Sequence, residues 1–241
     1  MQIVGLTDKG VVRAENQDTF IHDKLSDNTV FAAVLDGMGG AKAGRYASTF
    51  SAETFSQLIK EDPQAVINNP ASQLFDILRQ VNAIVYDKAV GHVEYDGMGT
   101  TFVGGVFTDG IGVIANIGDS RAYLIDEQDC RAVTHDHSIV AALVEMGEIT
   151  PEEARVHPQR NVITRALGTD EGVEADLYPV DINGKCLLLC SDGLYGYFSE
   201  EELGRYVRSD APEQACQRLI DEACARGGRD NITAIIIDAR S

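Results

Sequence analysis

An antiparallel α+β layering, with sheet strands covered by helices, is the fold class this sequence predicts, on three observations. Short apolar runs, many of them rich in Val and Ile, fall at about 2–6, 29–35, 100–107, 111–117, 121–125, 185–190 and 232–237 and read as strands. Two longer segments, at about 42–60 and 71–90, have helical spacing instead. Strands stand before, between and after these helices. Most strand-to-strand connections are too short for the helical crossover that parallel pairing needs.

The elements follow in order. The run at 29–35 looks buried, stops at Asp36, and passes into "GMGGAKAG", a loop with almost no side chains. The helix at 42–60 places Ala43, Ala47, Phe50, Thr54 and Leu58 on one stripe, and that at 71–90 does the same with Leu74, Leu78, Val81 and Val85; each has one face to bury. After the central strands comes a shorter helical pair near 138–146 and 151–155. A last helix at about 212–226 ends in "RGG", the glycines expected past a helix C-terminus. No linker, low-complexity tract or long repeat interrupts the chain. Its 241 residues, 44% hydrophobic, suffice for one sizeable core, so 1–241 reads as a single domain.

Bulk properties exclude several function classes. The formal net charge of −18 argues against nucleic acid and anionic membrane surfaces, and permits bound cations. No stretch approaches the ~18 uninterrupted apolar residues of a membrane span. The opening "MQIVGLTDKGVV" lacks the basic flank and apolar core of a signal peptide, so a cytoplasmic location without a membrane partner is expected. The cysteines at 130, 186, 190, 216 and 224 form no C-x-x-C pair and leave an odd one over. They read as reduced core thiols, not as a disulfide framework or zinc cage.

The functional signal is an acid at strand ends. Asp36 closes "FAAVLD", Asp119 closes "VIANIGD", Asp192 closes "KCLLLCSD", and Asp230 stands just ahead of "NITAIII". If these strands lie side by side, with the last antiparallel to the others, all four carboxylates meet at one rim. Four carboxylates without basic partners repel strongly, and a hard divalent cation resolves that. Oxygen-only ligands suit Mg²⁺ or Mn²⁺ better than zinc, and a bridging carboxylate would make a two-metal hydrolytic centre. Without side chains at Gly37, Gly39 and Gly40 the backbone can approach an ion and offer a carbonyl oxygen. For any single position Asp-Gly is first a turn signal. The "DGMG" at Asp96 repeats the letters of 36–39 with no buried strand ahead of it, and reads as a turn.

The chain resembles the protein phosphatase 2C family, the metal-dependent serine/threonine phosphatases, in its compact bacterial form. The resemblance rests on "GLTDKGVVRAENQDTF", "VLDGMGG", "GMGTT", "ANIGDSRAYL", "THDHS", "LLLCSDGL" and "GGRDNIT", in that order over nearly the whole chain. It implies a central antiparallel β-sandwich flanked by helices on both faces, a four-layer αββα arrangement, with a small flap near 147–168. In the implied site Asp36 bridges two Mn²⁺ or Mg²⁺ ions, the Gly37 carbonyl binds one of them, and Asp192 and Asp230 complete the other. Asp119 joins Asp192 at a third, weaker ion. Arg13 would hold the substrate phosphate, for which its planar fork is suited; read alone, it could equally be a surface ion pair with Glu15. Asp18 would orient a metal-bound water; read alone, it is a cap or turn acid.

Two departures from the family stand out: Gln17 where many eukaryotic members have Glu, and Met38 where animal members have a His proposed as general acid. Met cannot donate a proton. His135 and His137 would share one face of a strand as ligands, but the family context makes Asp136 and Ser138 a helix start. His157 and Arg160, on the implied flap, are candidate substrate contacts.

The implied activity is hydrolysis of phosphoserine and phosphothreonine on proteins, by in-line attack of a water activated at the metals. Phosphorylated proteins, including those of a cognate kinase, would be the partners of a monomeric enzyme. A P-loop nucleotide hydrolase is excluded because G-x-x-x-x-G-K-[ST] is absent. The competing reading of another class is an inactive module of the same fold that only binds phosphoproteins; the presence of all four acids and Arg13 argues against it.

Overall fold

The computed structural model describes residues 1–39 and 41–240, with the side chains of all of these except Ala41 and Lys42; Gly40 of the glycine loop lies outside the described residues. The chain runs through β1 (Gln2–Asp8), β2 (Asp18–Lys24) and β3 (Thr29–Met38) into α1 (Ala41–Glu61), α2 (Pro63–Asn68) and α3 (Pro70–Gly91). Strands β4 (Gly99–Thr100), β5 (Phe102–Thr108), β6 (Ile111–Ile117), β7 (Arg121–Ile125) and β8 (Cys130–Ala132) lead to α4 (Ile139–Glu145) and α5 (Pro151–Val156). Then come β9 (Asp176–Asp181), β10 (Cys186–Cys190), α6 (Asp192–Tyr195), α7 (Glu200–Ser209), α8 (Pro212–Ala225) and β11 (Ile232–Asp238).

Two antiparallel sheets form. One has the order β1-β11-β10-β7-β8; the other has the order β2-β3-β5-β6-β9, with β4 paired to the end of β3. Side chains alternate across a strand, and β3 shows why its run is unbroken. Val30, Ala32 and Val34 face the other sheet, where they meet Leu124, Leu187, Leu189, Ile235 and Ile237. Phe31, Ala33 and Leu35 face outward onto α1 and α3, against Ala47, Phe55, Leu78 and Val81. The opposite sheet repeats this, its outer Leu188, Ala234 and Ile236 packing on Leu203, Cys216 and Leu219 of α7 and α8. A strand buried on both faces has no polar period. The result is the four-layer αββα sandwich expected.

Three details differ from expectation. The four acid-bearing strands do not lie side by side: β3 and β6 flank β5 in one sheet, while β10 and β11 are neighbours in the other. Their acid ends share a rim because the sheets are stacked. The stripe on α1 is rotated by about one residue, so that Phe55 and Ile59 are fully buried, while Phe50 and Leu58 only pack at the edge of the cluster. Strands β2, β8 and β9 and helices α2, α6 and α7 add to the elements read from the sequence. The stripe of α3 is as expected, with Leu74, Leu78, Val81 and Val85 buried. Four cysteines are buried thiols and Cys224 is half-buried. Asp96 is exposed at the end of a 3-10 turn. No helix among the described residues is long and apolar enough to cross a membrane.

Candidate active site

At the shared rim, Asp36 lies two residues before the end of β3, which pairs with β2 so that Asp18 is directly opposite it. The backbone of Asp36 is clamped by Thr101: its N–H donates to Thr101 Oγ1 at 3.0 Å and its carbonyl accepts the Thr101 N–H at 2.9 Å. Thr101 Oγ1 lies 2.7 Å from Ser120 Oγ, which ties Asp36 to the Gly118–Asp119 turn after β6. On the other sheet, Asp192 opens α6 and Asp230 precedes β11. Their approach depends on Gly193, where a Cβ would fall 1.9 Å from the Asn231 carbonyl oxygen.

Asp18 joins the two sheets. Its Oδ2 accepts hydroxyl hydrogen bonds from Ser191, beside Asp192, and from Thr233, each at 2.7 Å. Its Oδ1 is buried without a hydrogen-bond partner in the protein, and so is Oδ1 of Asp192. Burial pushes Asp18 up to about 6, against the opposing pull of the Thr233 and Ser191 hydroxyls. Burial, then repulsion from Asp18, Asp192, Asp119 and Asp230, holds Asp36 well above the carboxylate range. Asp192 is raised by burial and by Asp119, Asp230 and Asp18. Asp119 is raised to about 7, chiefly by burial and then by Asp136.

Arg13 is the cation that meets this cluster: Nη2 donates to Asp230 Oδ2 at 2.7 Å, with half of the arginine side chain exposed. It pairs with Asp230, not Glu15. The loop that carries Arg13 is held by Asn231, a residue the sequence reading passed over. Asn231 Oδ1 accepts the Gln17 N–H at 2.8 Å, and Nδ2 donates to the carbonyls of Lys9 at 2.8 Å and Glu15 at 2.9 Å. The Gln17 carbonyl in turn accepts from Ser48 Oγ at 2.6 Å and from the Gly37 N–H at 3.2 Å. Gly37 has a packing reason as well, since a Cβ there would lie 2.0 Å from the Gly44 carbonyl of α1. Met38 is half-buried and pairs with Gly99 of β4.

The remaining candidates lie elsewhere. Ser138 caps α4, accepting the Ala141 N–H at 3.2 Å, as the helix-start reading expected. Asp136 is no cap but a bidentate partner of Arg121, at 2.8 and 2.7 Å. His137 is buried, its Nδ1 accepting the Gly118 N–H at 3.1 Å. His135 is exposed beside Tyr178. On the flap, His157 closes α5 and its Nδ1 accepts the Gln159 N–H at 3.1 Å. Arg160 is exposed, and neither flap residue contacts the acids.

The donor set fits a hard divalent cation. Buried carboxylates repel one another, two of their oxygens lack protein partners, and Arg13, with Arg121 acting on Asp119, supplies too little positive charge to balance them. Among the described residues no three His, Cys, Asp or Glu side chains close into a ready cage. The fit therefore rests on charge and on the orphaned oxygens, with room for water and backbone oxygen in the coordination, as Mg²⁺ and Mn²⁺ favour.

Known proteins resemble this chain in sequence and fold. A family profile for protein phosphatase 2C matches residues 11–227. Serine/threonine phosphatase stp of Listeria monocytogenes is 35% identical over 235 residues, covering 96% of this chain and 93% of the other. Protein phosphatase PhpP of Streptococcus pneumoniae is 35% identical over 240 residues, covering 98% and 97%. The crystal structure of serine/threonine phosphatase Stp1 from Staphylococcus aureus superimposes with a TM-score of 0.91 at 37% identity, covering 98% of this chain and 95% of that one. With its sandwich, its rim of acids and these relatives in agreement, the chain belongs to the protein phosphatase 2C family.

Proposed function

We propose that residues 1–241 act as one metal-dependent serine/threonine protein phosphatase domain that hydrolyses phosphoserine and phosphothreonine on proteins. The observation that carries this reading is the rim itself: Asp18, Asp36, Asp119, Asp192 and Asp230 gathered from two sheets, with Arg13 at the mouth. Asp36, the Gly37 carbonyl, Asp192 and Asp230 are assigned to two Mn²⁺ or Mg²⁺ ions, and Asp119 with Asp192 to a third, weaker one. When bound, such ions neutralise phosphoryl charge and lower the pKa of water at the site.

The chain's own residues do the rest. Arg13, half-exposed and already aimed at the cluster, binds the phosphoryl oxygens and orients phosphorus for in-line attack. Asp18 has Oδ2 fixed by two hydroxyls, which leaves Oδ1 to accept a proton from the attacking water. The new P–O bond forms as the bond to the serine or threonine oxygen breaks, and that oxygen takes a proton from solvent at the open mouth, since Met38 offers none. Inorganic phosphate and a free hydroxyl are the products. His157 and Arg160 are assigned to the polypeptide flanking the phosphoresidue. We place the enzyme in the cytoplasm as a monomer opposite a cognate kinase, whose products would be its substrates.

Hydrolysis of p-nitrophenyl phosphate and of a phosphothreonine peptide, with Mn²⁺, Mg²⁺ or EDTA, tests the reading beside Asp192→Ala. Turnover that needs metal and is lost in D192A is expected. Turnover indifferent to EDTA overturns the metal assignment, and cation binding without turnover favours the phosphoprotein-binding module.

A further inference from the structure

Helix α6 is a single turn, yet it brings two groups to the rim: Asp192 opens it and Tyr195 closes it. The Tyr195 hydroxyl donates to the backbone carbonyl of Asp119 at 3.0 Å. One short element thus carries one acid and grips the main chain of another. The grip is braced from behind. The Arg121 guanidinium lies over the Tyr195 ring, 3.8 Å from its centroid. That guanidinium is fixed in turn by two bonds to Asp136, at 2.8 and 2.7 Å, and by donation to Tyr123 Oη at 3.1 Å. A planar cation stacked on the ring and forked onto a carboxylate leaves the phenol little freedom to swing away.

The other side of the turn is held as well. Gly118 sits at φ +104°, a conformation that favours glycine. Its N–H donates to His137 Nδ1 at 3.1 Å, and its carbonyl accepts from Asn116 Nδ2 at 3.3 Å. The Asp119 backbone is therefore located between His137 and Tyr195, and of these only Tyr195 shares an element with Asp192. A phenylalanine would fill the same volume, so the hydroxyl is the part with a positioning task.

We propose that Tyr195 is a positioning residue that sets the spacing between Asp119 and Asp192, and with it the affinity of the cation these two acids share; this rests on the metal assignment made above. Tyr195 touches neither substrate nor the reacting atoms. Tyr195→Phe keeps the ring and the Arg121 stack and removes only the hydroxyl.

The test is a Mn²⁺ titration followed by the electron paramagnetic resonance of free Mn²⁺, on wild type, Y195F, Asp119→Asn and Arg121→Lys, with p-nitrophenyl phosphate kinetics alongside. In Y195F the weakest Mn²⁺ site is expected to lose about tenfold in affinity. The tighter sites should keep theirs, and the KM for p-nitrophenyl phosphate at saturating Mn²⁺ should stay put. R121K, which loses the planar stack and the fork but keeps the positive charge felt at Asp119, must weaken the same site and serves as the second reading should Y195F fail to fold. A Y195F titration that overlays wild type, while D119N loses the weak ion, overturns this inference alone. A wild type that binds no Mn²⁺ overturns the metal assignment and this inference with it.

Discussion

Replacing Gly37 by alanine probes the contact on which the rim is built. A Cβ at 37 would lie 2.0 Å from the Gly44 oxygen, 2.6 Å from the Gly44 carbonyl carbon and 2.8 Å from the Gln17 oxygen. All three are backbone atoms, so no side chain can rotate out of the way. Ordinary contact starts at 3.4 Å, so α1 and β3 must part by more than an ångström. Overpacking of this kind costs about 1–3 kcal/mol. The Gly37 N–H bond to the Gln17 carbonyl, at 3.2 Å, adds about 1 kcal/mol if it is lost. For a chain of 241 residues, the sum of about 2–4 kcal/mol lowers the melting temperature by roughly 5–15 °C. Differential scanning fluorimetry in EDTA measures this, and Mn²⁺-dependent turnover well below both midpoints reports the displaced Asp36. Gly91→Ala, where a Cβ meets nothing within 4 Å, is the control and should leave both unchanged or slightly improved. A G37A protein with wild-type midpoint and kcat would refute the reasoning.

Other outcomes follow from the same geometry. Arg13→Lys keeps the charge but loses the planar fork, and should raise the KM for p-nitrophenyl phosphate by about tenfold with a smaller change in kcat; a pure kcat loss would count against a phosphate-binding role. Asn231→Ala removes three hydrogen bonds to the 9–17 loop, for ~3 kcal/mol, and should raise KM as the Arg13 loop loosens; unchanged KM and melting midpoint would contradict this. His137 gives a pH signature. Burial lowers the affinity of its imidazole for a proton, so between the folded value and the unfolded value of about 6.5 the unfolded chain binds more protons. Its contribution to stability is present above the unfolded value and is lost as pH falls through the window. The melting midpoint of wild type, measured in EDTA from pH 8 down to pH 5, should fall more steeply than that of His137→Gln; parallel curves would remove His137 from the explanation.

What was legible in the sequence was the part written in strand order. An apolar run ending in a carboxylate is a local pattern that Asp36, Asp119 and Asp192 carry, and Asp230 carries its reverse, an acid just ahead of an apolar run. Pairing across the sandwich is not local. Ser191, Thr233, Thr101 and Ser120 read as ordinary polar residues until the chain folds and the first two find Asp18, Thr101 finds the Asp36 backbone and Ser120 finds Thr101. Asn231 stood in plain view beside Asp230, but its three partners lie more than 200 residues away in the chain. Strands β8 and β9 were missed because they are edge strands with exposed positions and no apolar run. Helix α7 was overlooked although a capping box, Ser199 with Glu202, announces its start; the three glutamates of its first turn and Gly204 hid its apolar face. On α1 the periodicity was right and the phase was off, because the small residues Ser48, Ser51 and Ala52 occupy the face closest to the sheet.

The bonds from Asn231 also place the site in time. The loop bearing Arg13 is made early in synthesis, but the side chain that shapes it and the carboxylate that Arg13 meets both belong to the segment leading into β11, which pairs with β1 on one side and β10 on the other. A ribosome must therefore release the segment leading into β11, 217 residues after Arg13, before the Arg13 loop has these partners to fold against. Partial chains, whether nascent or clipped before residue 230, would carry Arg13 on a slack loop without Asp230, its ion-pair partner, and are expected to lack phosphatase activity. Competence arrives in one step, with the closing strand.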